Sequence, residues 1–338
     1  MKTDILKRLS IIFIAISAIF LMACDNGKDD ILHTEQAEVN FLEEHGQLSF
    51  VDGKLVDHNN EPVQLRGVST HGVAWFPEFN NANAFKSIKE AGGNVIRVAA
   101  YTEGDNCYLS NPENTMNLVF QAIENAKSLG LYVIVDWHIL NDGDPRTHQA
   151  EAITFFDAIA SRYKNDPAII YEICNEPNGV GWTDIMEYGY AMFPVIRQYS
   201  PDAVILMGVP DYSASLSYAS ATPFPEKNFA YTFHYYAGEH RGYAELENAV
   251  NEGLPVFVSE WGCGKDSTGE FAYLQSLEFY AYLNSNDISW CAWSLCNKDE
   301  IYSMIKTDCE KIGDFTEEDL TQSGKVIFEA LKGRKKVE

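Results

Sequence analysis

Eight short apolar runs rich in β-branched and aromatic residues recur along this chain, and each gap between them is long enough for a helix or a long loop. The runs predict strands at Val63–Ser69, Asn94–Ala100, Tyr132–His138, Ile169–Glu176, Ala203–Gly208, Phe229–Tyr235, Val256–Glu260 and Ile288–Ser294. Helical stretches fall at Asn83–Ala91, Met116–Leu129, Ala150–Tyr163, Thr183–Tyr199, Tyr243–Asn251 and Gly269–Ser285, with a last amphipathic helix over Gln322–Leu331. Near-continuous apolar strands belong to parallel sheets covered on both faces. Eight of them alternating with helices predict an α/β fold, the (β/α)8 TIM barrel, typically ~250 residues long. Turns at Asp52-Gly53 and Asn59-Asn60 within Leu48–Leu65 add a short N-terminal β-hairpin cap.

Two of these strands end in a way that packing does not explain. Ile169-Ile170-Tyr171-Glu172-Ile173-Cys174-Asn175-Glu176 stops at Pro177-Asn178-Gly179, leaving Glu176 at the mouth of an apolar run. Pro255-Val256-Phe257-Val258-Ser259-Glu260 repeats that grammar before Trp261-Gly262. Charged side chains are rarely buried unless paired or put to use, and in a (β/α)8 barrel the C-terminal strand ends face the active site. Two carboxylates meeting across a pocket are what acid-catalysed glycosidic cleavage requires. Other strand ends carry His71 and Trp75, Arg97 and Tyr101, Asp136 and His138, His234 and Tyr236, and Trp293. Any one of these is commonly a packing residue; so many at the same end of one barrel are not.

In chain order, Gly67-Val68-Ser69-Thr70-His71-Gly72, Val135-Asp136-Trp137-His138, Asn175-Glu176-Pro177, Phe233-His234-Tyr235-Tyr236, Ser259-Glu260-Trp261-Gly262, Trp290-Cys291-Ala292-Trp293-Ser294 and Lys298-Asp299-Glu300 resemble glycoside hydrolase family 5. The bacterial endo-β-1,4-glucanase (cellulase) subgroup is the nearest match, over about Gly46 through Glu300. The resemblance implies hydrolysis of internal β-1,4-glucosidic bonds in soluble or amorphous cellulose, and in mixed-linkage β-glucan, by retaining double displacement. Glu260 would be the nucleophile and Glu176 the acid and then the base. Arg97 would keep Glu260 ionised, and Asn175 would bond the sugar 2-hydroxyl. His234 would lie by Glu176 and Tyr236 by Glu260, while His71 and His138 would bind hydroxyls or brace carboxylates. Trp293 would floor the cleavage subsite, with Trp75 and Tyr101 extending the platform and Lys298 and Glu300 gripping a more distant glucose. Tyr212 stands where close relatives often have Trp, which implies weaker leaving-group subsites; Trp182 would compensate there or pack on its helix.

The same barrel and carboxylate pair also suit a mannanase or xyloglucanase, because linkage specificity lives in the loops. A non-catalytic, lipid-anchored glycan-binding protein is expected to have lost a carboxylate, and a metal-dependent barrel hydrolase to carry His-x-His on its first strand. Neither feature is present.

Lys2, Lys7 and Arg8 precede the apolar Leu9–Met22, and Leu21-Met22-Ala23-Cys24 has the form of a lipoprotein cleavage box. The expected organisation is a signal peptide over 1–23, an acidic tether over 24–45 and the catalytic domain over 46–338. The expected address is the bacterial cell envelope, periplasm-facing or on the outer-membrane surface, held by lipid on Cys24. A net charge of −24 repels phosphates and argues against nucleic acid, whereas a neutral glucan is compatible with it. Cys107, Cys174, Cys263, Cys291, Cys296 and Cys309 allow fifteen disulfide pairings that sequence cannot choose among, although Cys174 and Cys291 read as buried thiols. No Cys or His cluster has zinc-ligand spacing. Neither a metal nor a cofactor is expected, and the chain is expected to be a monomer.

Overall fold

The computed structural model describes residues 39–240, 242–265 and 268–333. The signal segment, Cys24 and most of the expected tether lie outside them. The compact unit begins at Val39, earlier than the tether boundary expected at Gly46. Phe41–His45 form a helix (α1) whose Asn40 cap accepts from the Glu43 amide, with Glu43 and Glu44 in its first turn, where carboxylates suit the helix dipole. The Leu42 amide donates to Gly130 O and the Tyr132 hydroxyl donates to Gly46 O at 2.7 Å. The last residues of the expected tether, 39–45, thus belong to a cap packed on the barrel, and its earlier acidic residues lie outside the described ones.

Ser49–Val51 (β1) and Lys54–Val56 (β2) pair antiparallel, as the hairpin expectation required. Their turn uses Asp52 and Gly53, both at positive φ, the combination a two-residue hairpin loop needs. Eight parallel strands then close a barrel: β3 (Arg66–Thr70), β4 (Val95–Tyr101), β5 (Tyr132–His138), β6 (Ile169–Glu172), β7 (Ile205–Met207), β8 (Phe229–Tyr236), β9 (Val256–Gly262) and, after the small strands β10 (Gly264–Lys265) and β11 (Glu270–Phe271), β12 (Trp290–Leu295) against β3. Helices at Ala82–Glu90, Pro112–Ser128, Gln149–Arg162, Trp182–Arg197, Ala244–Asn251, Tyr273–Ser285 and Gln322–Leu331 match the expected stretches to within a few residues. Between β7 and β8 only two short helices form, at Pro210–Ser213 and Ser217–Ala221. The sequence pattern predicts no helix there.

Side chains alternate across each strand, so one set faces outward to the helices and the other into the barrel. Ile96, Val98, Val133 and Val135 pack outward in the main core. Val95, Ile134, Ile170, Leu206, Ala230 and Phe257 form a separate apolar cluster with Leu65 and Tyr132. Burial on both faces explains the unbroken apolar runs. The strand expected to end at Glu176 stops pairing at Glu172, and beyond it the Asn175 amide donates to Trp137 O at 3.2 Å. Glu176 therefore stands just above the sheet, on backbone still tied to the neighbouring strand. No helix among the described residues is long and apolar enough to cross a membrane.

Candidate active site

Arg97 leaves the middle of β4 and is completely buried at the centre of the site. Its Nε donates to Glu172 Oε2 at 2.6 Å and its Nη1 to Glu260 Oε2 at 3.0 Å. Nη1 also reaches Ser69 Oγ at 3.2 Å, and Nη2 reaches Asn175 Oδ1 at 2.6 Å and Asp136 Oδ2 at 3.0 Å. One guanidinium thus faces three carboxylates, and its charge is held on by all three against the opposing effect of burial. Glu260 has a second donor in the Tyr236 hydroxyl, on its other oxygen.

Glu176 has a different environment. Its Oε1 lies 2.8 Å from His234 Nδ1, and His234 Nε2 lies 3.0 Å from Ser259 Oγ. Ser259 in turn donates to Glu172 Oε1 at 2.7 Å. Since that bond uses the only hydroxyl proton, Ser259 must accept from Nε2–H, which leaves Nδ1 as an acceptor. Burial pushes His234 down to about 4, so the ring is neutral near pH 7. A neutral ring with a bare Nδ1 is satisfied when Glu176 carries the proton. Burial likewise raises Glu176 to about 7 and Glu260 to about 7. The two carboxyls also come close: one oxygen of each, with a His234 ring nitrogen, all lie within 4.8 Å of one another. Near neutrality such a pair favours one shared charge, and the Arg97 and Tyr236 donors direct that charge to Glu260.

A second chain of contacts fixes Asn175. His138 Nδ1 is 2.6 Å from Asp136 Oδ2, and its Nε2 faces Asn175 Nδ2 at 3.2 Å. The ring therefore donates to the buried Asp136 and accepts from the amide, whose other proton goes to Ile139 O at 3.1 Å. Rings surround this array. His138 stacks on Trp293 at 5.3 Å, Tyr101 lies 4.0 Å from His138, and Trp75 lies 4.3 Å from Tyr101. His71 bridges Trp293 and Trp75 at 5.1 and 5.8 Å. Its Nδ1 accepts from the Gly72 amide at 2.8 Å, and burial lowers it to about 3. Lys298 pairs with Glu300 at 2.5 Å, and Glu300 Oε1 sits 3.8 Å from His71 Nε2.

Tyr212 lies apart from that array: the residue is 55% exposed, and its amide donates to Pro177 O at 3.1 Å, which seats it beside the Glu176 loop. Trp182 is buried, with its indole N–H on Thr222 O at 2.8 Å; it packs its helix and does not line the cleft. The six cysteines from Cys107 to Cys309 are all free thiols. Glu172, Ser259 and Asp136 are the site residues for which the sequence reading gave no role. Glu172 was detectable, since a carboxylate inside Tyr171-Glu172-Ile173 poses the same burial problem as Glu176.

The cellulase family designated glycosyl hydrolase family 5 matches residues 56–299. The chain belongs to glycosyl hydrolase family 5. It is a glycoside hydrolase, and several of its curated relatives are named endoglucanases. It is 40% identical to endoglucanase A of Butyrivibrio fibrisolvens, over 86% of this chain and 70% of that protein. It is equally 40% identical to endoglucanase N of Pectobacterium atrosepticum, over 86% of this chain and 66% of that protein, so this family 5 chain spans about two thirds of the length of such relatives. Among solved structures, the catalytic domain of a Thermobifida fusca endoglucanase, in complex with cellotetraose, superposes with a TM-score of 0.82 at 32% identity. That match covers 87% of this chain and all of the other.

Proposed function

We propose that this family 5 hydrolase is a retaining endo-β-1,4-glucanase acting on soluble or amorphous cellulose and on mixed-linkage β-glucan. The observation that carries the reading is the close carboxyl pair with unequal hydrogen bonding. One oxygen of each carboxyl lies within 4.8 Å of the other, an approach that supports direct attack, for which the carboxyl groups stand ~5–5.5 Å apart. Glu260, charged and held by Arg97 and Tyr236, attacks the anomeric carbon as the glycosidic bond to the leaving sugar breaks. Glu176, protonated against His234, gives its proton to the departing oxygen. It then takes a proton from the water that cleaves the glycosyl-enzyme ester. Asn175, whose two amide protons go to His138 and Ile139, keeps one Oδ1 lone pair beside the acid to accept from the 2-hydroxyl of the sugar. Trp293 and His138 floor that subsite, Tyr101 and Trp75 continue the platform, and Lys298, Glu300 and His71 supply polar contacts beyond it. Tyr212 offers an exposed ring on the leaving-group side.

The test is hydrolysis of carboxymethylcellulose, barley β-glucan, xyloglucan and mannan by the soluble domain, with the anomer of early product read by NMR. Rapid viscosity loss on the first two substrates with β-anomer product is expected. An α-anomer would overturn the double displacement, and preference for mannan or xyloglucan would overturn the substrate. The leader and Cys24 support anchoring at the bacterial envelope; loss of membrane association in Cys24→Ala is the expected result.

A further inference from the structure

Beside the catalytic carboxylates, the loops after β4 and β5 enclose a cavity of about 290 Å³ whose walls include Trp75, Tyr101, Glu103, His138 and Asp142. At its edge Glu103, Asp142 and His148 each present one donor atom, all three within 4.8 Å of one another. Donors ~2.0–2.2 Å from one ion lie at most ~4.4 Å apart, so closing on such an ion asks these side chains to move inward by no more than a few tenths of an ångström. Asp142 is 8% exposed and accepts from Thr102 Oγ1 at 2.7 Å and the Leu140 amide at 2.9 Å. Both of those donors are neutral. Among the described residues no lysine or arginine pairs with Asp142 or Glu103, and the one ionisable partner of Glu103 is His148, 4.0 Å away. A buried carboxylate is ordinarily paired with a cation or bound to a metal. Two carboxylate oxygens and one imidazole nitrogen form a donor set for borderline cations, not for Ca²⁺ or Mg²⁺, which prefer oxygen alone.

We propose that Glu103, Asp142 and His148 form a site for a divalent transition-metal ion, Zn²⁺ or Mn²⁺, with water completing its shell. The three ligands come from the loop after β4, the loop after β5 and the cap of the Gln149–Arg162 helix, which is why no ligand spacing shows in the sequence. The ion ties the first of these loops to the other two segments. That loop supports Trp75: the indole N–H donates to Asp105 O at 3.0 Å, and a Cβ on Gly104 would meet the Trp75 ring at 2.7 Å. Resting on the reading of Trp75 as a sugar platform, metal binding steadies that platform and tightens binding of longer glucans without changing the chemical step.

The test titrates ZnCl2 and MnCl2 calorimetrically into chelator-stripped wild type, E103Q, H148Q and E176Q, with melting curves run alongside. E176Q is included because Glu176, His234 and Glu260 also bring three donor atoms together. One saturable site is expected in wild type and E176Q, weakened about 10–100-fold in E103Q and H148Q. Metal should raise the melting temperature of wild type and E176Q, and much less that of the other two. Glu103 and His148 lie at the surface, so metal-free melting of their variants should match wild type. Equal affinity in all four proteins, no binding in wild type, or loss only in E176Q would overturn the site. A metal-dependent fall in KM for cellotetraose at constant kcat would establish the link to Trp75, and its absence with binding intact would remove that link alone. The calorimetry needs no activity, so it stands or falls separately from the glucanase reading.

Discussion

Val95, Arg97 and Ala99 occupy alternate positions on one strand, and so one face of it. Val95 belongs to the apolar floor with Ile134, Ile170, Leu206 and Phe257. One step up, Arg97 meets Glu172, Asp136 and Glu260. In the floor, stability follows from area removed from water, about 25 cal/mol per Å², and any side chain of the right volume serves. In the upper layer, burial works against every charge, and the arrangement persists only because each ionised group meets an opposite charge or a strong donor. The floor is therefore tolerant of shape-conserving change, while the upper layer is intolerant of isosteric change that moves a charge. The two layers should respond oppositely when stability and turnover are measured separately.

The largest effect is expected from Glu260→Gln, which removes the proposed nucleophile. Turnover on barley β-glucan should fall to background, and the melting temperature should fall as well, since Arg97 loses one of its three counter-ions. Glu176→Gln should lower kcat by about 10²–10⁴-fold and abolish the descending limb of the pH profile. The sign follows from the raised pKa: the proton that the acid must donate is present below about 7 and lost above it. The same shift makes the folded protein bind a proton that the unfolded chain has already released, so this group's stabilisation is full below 4.5 and disappears as pH rises through 7. In Glu176→Gln the fall of melting temperature across that window should be shallower. An unchanged limb and unchanged slope would show that another group titrates there.

Glu172→Gln tests the upper layer without touching substrate. It takes one counter-ion from Arg97 and alters the acceptor that holds Ser259 and, through it, His234. A stability loss on the order of 3 kcal/mol is expected, measured by urea unfolding. A fall in kcat smaller than that in Glu176→Gln should accompany it. Phe257→Ala is the contrasting change in the floor. It should lower stability by about 3–5 kcal/mol while folded protein keeps its kcat. A floor variant that loses turnover at full occupancy of the folded state would break the distinction between the layers.

The strand–helix alternation made the barrel legible because burial on both faces imprints itself on contiguous residues. Glu176 and Glu260 were legible for the converse reason, as charges set where an apolar run should continue. The expected tether reached too far, into Phe41–His45, because a five-residue helix is too short to show a period, and Trp182 sits on Thr222 O where the sequence leaves two placements open. The roles of Glu172, Ser259 and Asp136 were not readable from local pattern. Arg97 bonds to residues 75 and 163 positions away in the chain, and nothing near Arg97 in the sequence names its partners.

The sequence by itself determined the architecture and the two carboxylates, because the hydrophobic effect depends on how much apolar surface a segment carries and with what period. Only the tertiary structure shows the hydrogen bonds that favour the proton on Glu176, which ring nitrogen of His234 faces it, and which loops bring Glu103, Asp142 and His148 together. Hydrogen bonds and charge pairing act over a few ångströms and depend on direction, and such distances exist only once the barrel has closed.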